Sequence, residues 1–188
     1  MSESTLRESW LFFYKYLRYP KQIGSIIPSS RYLASAMVSA VAWDETRLIA
    51  ELGAGTGAVT KYISSSNMTG AQVVLFEKDD YLRAKLQQQY PEHVCFSDAL
   101  RIGKELEANA MGPLDAIISG LPFFNFSESF REQLLVEIED SLRPNGQFIA
   151  FQYSLQMKKA LERRFEIENI SLVPWNLPPA FVYSCRKK

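Results

Sequence analysis

Short apolar runs rich in β-branched and aromatic residues recur along the chain at 48–52 (LIAEL), 73–77 (VVLFE), 94–96 (VCF), 114–118 (LDAII) and 147–153 (QFIAFQY), each separated from the next by a segment of helical length. A strand that is apolar at nearly every position must be buried on both faces, so this rhythm predicts a mainly parallel sheet covered by helices on each side. Ligands of such sheets sit at the carboxyl ends of the strands. The rhythm breaks after a helical segment around 155–165. The stretches 166–173 (EIENISLV) and 180–186 (AFVYSCR) read as two strands joined by a loop carrying Pro174, Pro178 and Pro179. A connection that short has no room for a crossover helix, so the pair is expected to be antiparallel. The expected fold class is α/β, a seven-stranded mostly parallel sheet with an antiparallel C-terminal strand, in a chain whose 188 residues suit one domain.

Composition narrows the chemistry. Lys plus Arg and Asp plus Glu number 21 each, so the total charge gives no pull toward a polyanion. The distribution is uneven: residues 1–35 carry five basic and two acidic side chains, and residues 158–188 carry seven and three. Cys95 and Cys185 form neither a metal-ligand spacing nor a disulfide framework, and His93 is the single histidine, which excludes zinc chemistry and a Ser-His triad. No metal site is expected. The first thirty residues are interrupted by Glu3, Arg7, Glu8, Lys15 and Arg18, with no apolar stretch of signal-peptide or membrane-spanning length, so an intracellular protein is expected.

The first strand runs into Gly53-Ala54-Gly55-Thr56-Gly57 and then a helix-like AVTKYISSS, a loop in which glycines permit a sharp turn and close approach of a ligand to backbone. Nicotinamide and flavin sites share such loops, but Gly57 follows Gly55 by two, which departs from G-x-G-x-x-G. Glu51 at the strand end would repel a pyrophosphate and suits an ammonium. Glu77, twenty residues past Gly57, is placed to accept hydrogen bonds from ribose hydroxyls; its alternative is an N-cap or surface charge in Glu77-Lys78-Asp79-Asp80. Asp98, heading Asp98-Ala99-Leu100, suits an adenine amine or, equally, an N-cap. Three carboxylates at three successive strand ends fit a cationic adenosine ligand, S-adenosylmethionine.

These residues resemble class I methyltransferases: Glu51 to Gly57 is similar to their first motif, Glu77 to their ribose acid, and Asp98-Ala99 to their adenine contact. The resemblance implies a Rossmann-like fold and S-adenosyl-L-methionine as cofactor. A closer resemblance spans almost the whole chain. Pro20-Lys21-Gln22-Ile23-Gly24-Ser25-Ile26-Ile27-Pro28-Ser29-Ser30, Ser119-Gly120-Leu121-Pro122 and Trp175-Asn176-Leu177-Pro178-Pro179-Ala180 look like bacterial phospholipid N-methyltransferases, which methylate phosphatidylethanolamine stepwise toward phosphatidylcholine. By that resemblance the cofactor contacts are Ile27, Pro28, Ser29, Glu51, Gly53, Ala54, Gly55, Thr56, Gly57, Glu77, Lys78, Asp98, Ala99 and Ser119. Gly120, Leu121, Pro122 and Tyr19 are the catalytic candidates. The stretch 121–127 also resembles ribosomal RNA adenine dimethyltransferases, but Gly120 and Phe123 stand where those enzymes place the amide and the stacking tyrosine. A nucleic acid partner is therefore not expected. A third alternative is a non-catalytic binding module that keeps the cofactor fold.

At helical pitch Leu6, Trp10, Phe13, Tyr14 and Leu17 share one face of residues 5–19 while Arg7, Lys15 and Arg18 line another. Such a segment suits an anionic membrane interface, or else packs on the sheet or forms a dimer contact. The expectation is a single domain over 1–188 with 1–28 as amphipathic helix and lid-like loop, cytoplasmic and peripheral to the inner face of the membrane, acting on an aminophospholipid. Ser29 or Ser30 is expected to cap the following helix. Phe123 and Phe124 are read either as core or as cation–π faces toward the sulfonium, and His93 as an exposed loop residue. Lys158, Lys159, Arg163, Arg164 and the Arg186-Lys187-Lys188 tail are read as solvated surface.

Overall fold

A computed structural model describes residues 30–188. Its strands are β1 (Leu48–Leu52), β2 (Gln72–Phe76), β3 (Val94–Phe96), β4 (Leu114–Ser119), β5 (Leu142–Gln152), β6 (Phe165–Val173) and β7 (Ala180–Lys187). They form one sheet in the order β3-β2-β1-β4-β5-β7-β6. β1 to β5 are mutually parallel, and β7 is antiparallel to both β5 and β6. The α/β class, the strand count and the reversed C-terminal strand are as the sequence predicts. Insertion of β7 between its neighbours lets β6 run in the same sense as β1 to β5, so the loop between β6 and β7 lies at their carboxyl edge.

The helices are α1 (Arg31–Ser39), α2 (Thr60–Ser66), α3 (Asp80–Gln89), α4 (Ile102–Ala108), α5 (Glu128–Ser141) and α6 (Lys158–Glu162). β1 is buried at all five positions, and its side chains alternate between two cores. Leu48, Ala50 and Leu52 pack with Ile102, Leu106, Leu134, Leu135 and Ile138 on the α4 and α5 face. Ile49 packs with Leu33, Met37, Ile63 and Leu86 on the α1, α2 and α3 face. Period-two alternation in a strand covered twice thus yields two apolar layers.

β5 begins at Leu142, five residues before the run predicted at 147. Leu142 pairs with Leu114, after which the register jumps to Gln147 opposite Ala116. Arg143-Pro144-Asn145-Gly146 fills the irregularity, with Asn145 at φ 60°, a left-handed value that Asn tolerates. The turn chemistry is real, but it makes a bulge within a strand rather than a loop before one.

Ser30 caps α1, its hydroxyl accepting from Leu33 N–H at 3.2 Å. The other candidate cap, Ser29, lies outside the described residues. So do Tyr19, Ile27, Pro28, the segment 5–19 and the lid-like loop. Among the described residues no helix is long and apolar enough to cross a membrane.

Candidate functional site

The carboxyl ends of β1, β2 and β4 converge on the glycine loop. Gly53, Gly55 and Gly57 have φ of 74°, 57° and 82°, values that penalise any side chain. A Cβ at Gly53 would stand 2.7 Å from Leu121 Cδ2, and one at Gly57 would meet Tyr90 and Leu86 at 3.1 and 3.2 Å. At Gly55 the nearest atom would be Gly53 O at 3.9 Å, so here the loop faces open space. Side chains of the protein itself thus crowd two of the glycines, and Gly55 is the one whose bare backbone is presented outward.

The loop's N–H groups decide what it can hold. Gly53 and Ala54 both donate to Phe76 O, at 2.8 and 3.2 Å, and Gly57 donates to Ala54 O at 2.9 Å. Gly55 N–H donates to Glu77 Oε2 at 2.7 Å. A phosphate cradle needs free N–H groups converging on an anion, and four of these five residues have committed theirs, one to a carboxylate. A carboxylate bonded to the loop favours a cationic ligand over a phosphate.

Below the loop, Glu51 is only 2% exposed. Thr60 Oγ1, at the start of α2, donates to its Oε2 at 2.6 Å. Burial raises the Glu51 carboxyl to about 8; the Thr60 hydroxyl pulls against that shift and the nearby Glu77 adds to it. A buried acid poised in this way gains most from a ligand that brings a positive charge.

Glu77 follows β2, its backbone N–H donating to Phe96 O at 2.9 Å. Its second oxygen accepts from Asp79 N–H at 2.9 Å. The helix cap proper is Asp79, which accepts from Leu82 N–H at 2.9 Å. Glu77 therefore ties the glycine loop to the turn before α3. Lys78 in that turn is exposed. Asp98 does cap the turn that begins at Ala99, accepting from Leu100 N–H at 3.0 Å. Ser119 ends β4 opposite Leu52, fully buried, and its hydroxyl accepts from Leu121 N–H at 3.2 Å.

Gly120 donates to Leu52 O at 2.8 Å, and a Cβ there would stand 3.1 Å from Gly53 O. The residue after β4 is thus pressed against the glycine loop, and a side chain there would require Gly53 to give by a few tenths of an ångström. Gln152 at the end of β5 donates to Leu121 O at 3.4 Å. The structure therefore brings together Glu51, residues 53–57, Glu77, Ser119, Gly120 and Leu121 from three strand ends. Asp98-Ala99 flanks them after β3.

One expectation is corrected and one pair of alternatives is resolved. His93 is buried, 7% exposed, with Nε2 and the Ser64 hydroxyl 2.9 Å apart and its ring stacked on Tyr90 at 5.7 Å. Burial lowers its pKa, partly offset by Glu92. Its turn is exposed only at Pro91 and Glu92, because the ring folds inward to join α2 to α3. Phe123 is core, 1% exposed and edge-on to Phe126 and Phe148, so its face is not available to a cation; Phe124 alone is exposed. Sequence reasoning missed Thr60 and Tyr90, and the bond from Ser30 N–H to Asn176. Each acts through a fold-generated contact that leaves no spacing signal.

Comparisons with known proteins agree with this chemistry. The methyltransferase-domain family matches residues 50–150. An ornithine lipid N-methyltransferase from Singulisphaera acidiphila is 28% identical over 187 residues, covering 96% of this chain and 97% of that protein. The crystal structure of TrmN from Thermus thermophilus superimposes with a TM-score of 0.69 at 16% identity, covering 93% of this chain and 53% of that one. That of Burkholderia thailandensis 1,6-didemethyltoxoflavin-N1-methyltransferase, with bound 1,6-didemethyltoxoflavin and S-adenosylhomocysteine, does so with 0.66 at 15% identity, covering 98% and 88%. A loop closed to phosphate, a buried acid beneath it and a match running from β1 through β5 converge: the chain belongs to the methyltransferase-domain family, class I enzymes whose cofactor is S-adenosylmethionine.

Proposed function

We propose that the protein methylates the amine headgroup of an aminolipid, phosphatidylethanolamine or a related lipid, at the inner face of the membrane. The observation that carries this reading is the likeness, over nearly the full length of both chains, to a protein named for lipid N-methylation. Gly120 supports it against an adenine acceptor, because it lacks the amide that the resembling adenine dimethyltransferases carry there.

S-adenosylmethionine supplies an electrophilic methyl group, so the protein must orient the acceptor and present it as a neutral amine with its lone pair free. In this reading Glu51 and Gly55 hold the cofactor's amino-acid end, Glu77 and Lys78 lie at the ribose, and Asp98 and Ala99 lie at the adenine. Gly120, Leu121 and Pro122 orient the acceptor nitrogen, and Tyr19 with solvent takes its proton. The loop from Gly24 to Pro28 closes over the cofactor, with Ile27, Pro28 and Ser29 in contact with it. Residues 5–19 hold the enzyme on anionic lipid, within one domain spanning 1–188.

The test is label transfer from methyl-labelled cofactor to total lipid, ribosomal RNA and small amines, assayed separately. Label is expected in the aminolipid fraction. Label in RNA alone would overturn the lipid reading, and none in any fraction would favour a binding module.

A further inference from the structure

The carboxyl edge of the sheet is divided in two. On the β1 to β3 side it carries Glu77-Lys78-Asp79-Asp80 and Asp98. On the other side, the loops after β4 (119–127), after β5 (152–157) and between β6 and β7 (174–180) contain no charged residue at all, in a chain that is 22% charged. These loops also hold large apolar side chains that nothing in the described domain covers: Phe124 is 57% exposed, Leu155 49%, Trp175 75% and Leu177 59%.

The three loops sit together. Phe123–Asn125 packs on Leu155–Met157. Tyr183 hydroxyl donates to Ser154 O at 3.2 Å. Asn176 is buried and accepts from Ser30 N–H at 3.3 Å, which draws the start of α1 to the same edge. Among the described residues, the cations next to these loops and to Ser30 in sequence are Arg31, Lys158 and Lys159, all exposed, with Glu128 as the adjoining acid.

From this arrangement we infer that residues 124, 155, 175 and 177 form a second membrane-contacting surface, an apolar rim that enters the interface of an anionic bilayer and seats the acceptor opening on it. Exposed Trp, Phe and Leu clustered on uncharged loops and flanked by cations match the two faces of such an interface, apolar below and anionic at headgroup level. The rim is continuous with the cofactor site through Gly120 and Leu121, so a bilayer held there delivers a headgroup without extracting the lipid. This deepens the lipid reading and rests on it.

The experiment uses full-length Trp10→Phe protein, in which Trp43 and Trp175 are the remaining indoles. Trp43 precedes β1 at the opposite edge and donates to Val38 O at 3.1 Å. Vesicles of phosphatidylethanolamine and phosphatidylglycerol with brominated acyl chains are expected to quench the fluorescence, and Trp175→Phe in the same background should remove the quenching. Independently, the otherwise wild-type Trp175→Ser/Leu177→Ser protein should partition to the same vesicles about tenfold more weakly or less, with S-adenosylhomocysteine affinity unchanged. Absence of Trp175 quenching, or unchanged partition, overturns the rim; coverage of these side chains by residues 1–29 would read out as that absence. Quenching in a protein that labels no lipid would keep the surface and discard the acceptor assignment. Lipid labelling without quenching would do the reverse.

Discussion

Glu51 shows how one side chain couples folding to ligand choice. Its carboxyl titrates near 8 in the folded protein against 4.5 ordinarily, so the folded state holds a proton that the unfolded chain releases. Stability from this group therefore falls as pH rises from about 4.5 to about 8. Glu51→Gln keeps an acceptor for Thr60 and removes the ionisation. It should raise stability at pH 8 by up to about 4 kcal/mol in urea denaturation, while weakening cofactor binding tenfold or more by removing its charge partner, on the order of 1.4 kcal/mol. Wild-type affinity should climb with pH as Glu51 ionises, with proton release on binding; calorimetry in buffers of differing ionisation enthalpy reads both. A flat pH profile, or equal profiles in the two proteins, would remove Glu51 from the ligand's surroundings. The glycines separate in the same way. Gly53→Ala should lose stability by about 2 kcal/mol or more through its clash with Leu121, whereas Gly55→Ala, with open space before it, should cost about 1 kcal/mol for the left-handed backbone and act chiefly on cofactor affinity. Equal losses of stability would contradict that division.

At the scale of elements, the edge opposite the site is fixed by Asp115 in β4. Its carboxylate accepts from Arg47 and Leu48 N–H at 2.7 and 2.9 Å and from the Arg143 guanidinium, joining the starts of β1, β4 and β5. Burial works to raise the Asp115 carboxyl, but these three donors outweigh it and hold it below the ordinary 3.8. Its contribution is present above that value and fades as pH falls through the lowered one. Asp115→Asn should destabilise by about 1 to 3 kcal/mol with cofactor affinity unchanged, as denaturation and calorimetry would show; altered affinity would mean the two edges are coupled. The same elements show what the sequence could convey. Buried parallel strands write themselves as apolar runs, so β1 and β3 begin and end where their runs do, and β2 is displaced by one residue. The start of β5 was hidden because Pro144 and Asn145-Gly146 carry local turn preference, while the pairing of Leu142 with Leu114 is a long-range contact. The basic late helix and tail read as solvated surface, yet Arg164 reaches Glu139 and Glu132 at 2.7 and 3.2 Å and Lys187 donates to Leu142 O at 2.8 Å. Those ties depend on which strand lies beside which, and periodicity is silent on that.

For the whole molecule, the candidate site was legible wherever one strand end carries its own chemistry, as in Glu51 to Gly57, Glu77 and Asp98. It was illegible where function depends on assembly, as in the inward turn of His93, the pinning of Ser30 by Asn176, and the gathering of three uncharged loops at one edge. The formal net charge is zero, so attraction to an anionic bilayer cannot come from the molecule as a monopole. It has to be local. The proposed handle at residues 5–19 contributes Arg7, Lys15 and Arg18, each worth about 1 kcal/mol near such a surface and screened within a Debye length of roughly 10 Å at 0.1 M salt. The proposed rim contributes apolar burial, which salt does not screen. Vesicle cosedimentation across a salt series should therefore resolve two components. Replacing Arg7, Lys15 and Arg18 with Gln should flatten the salt dependence, and Trp175→Ser/Leu177→Ser should lower binding at every salt concentration while leaving the slope intact. Trp10→Glu should weaken binding and preserve cofactor affinity, because the charge enters the face meant for lipid. If Trp10→Glu binds as wild type does, or no longer yields soluble folded protein, residues 5–19 are a packing helix instead, since a core position does not accept that carboxylate without several kcal/mol of destabilisation.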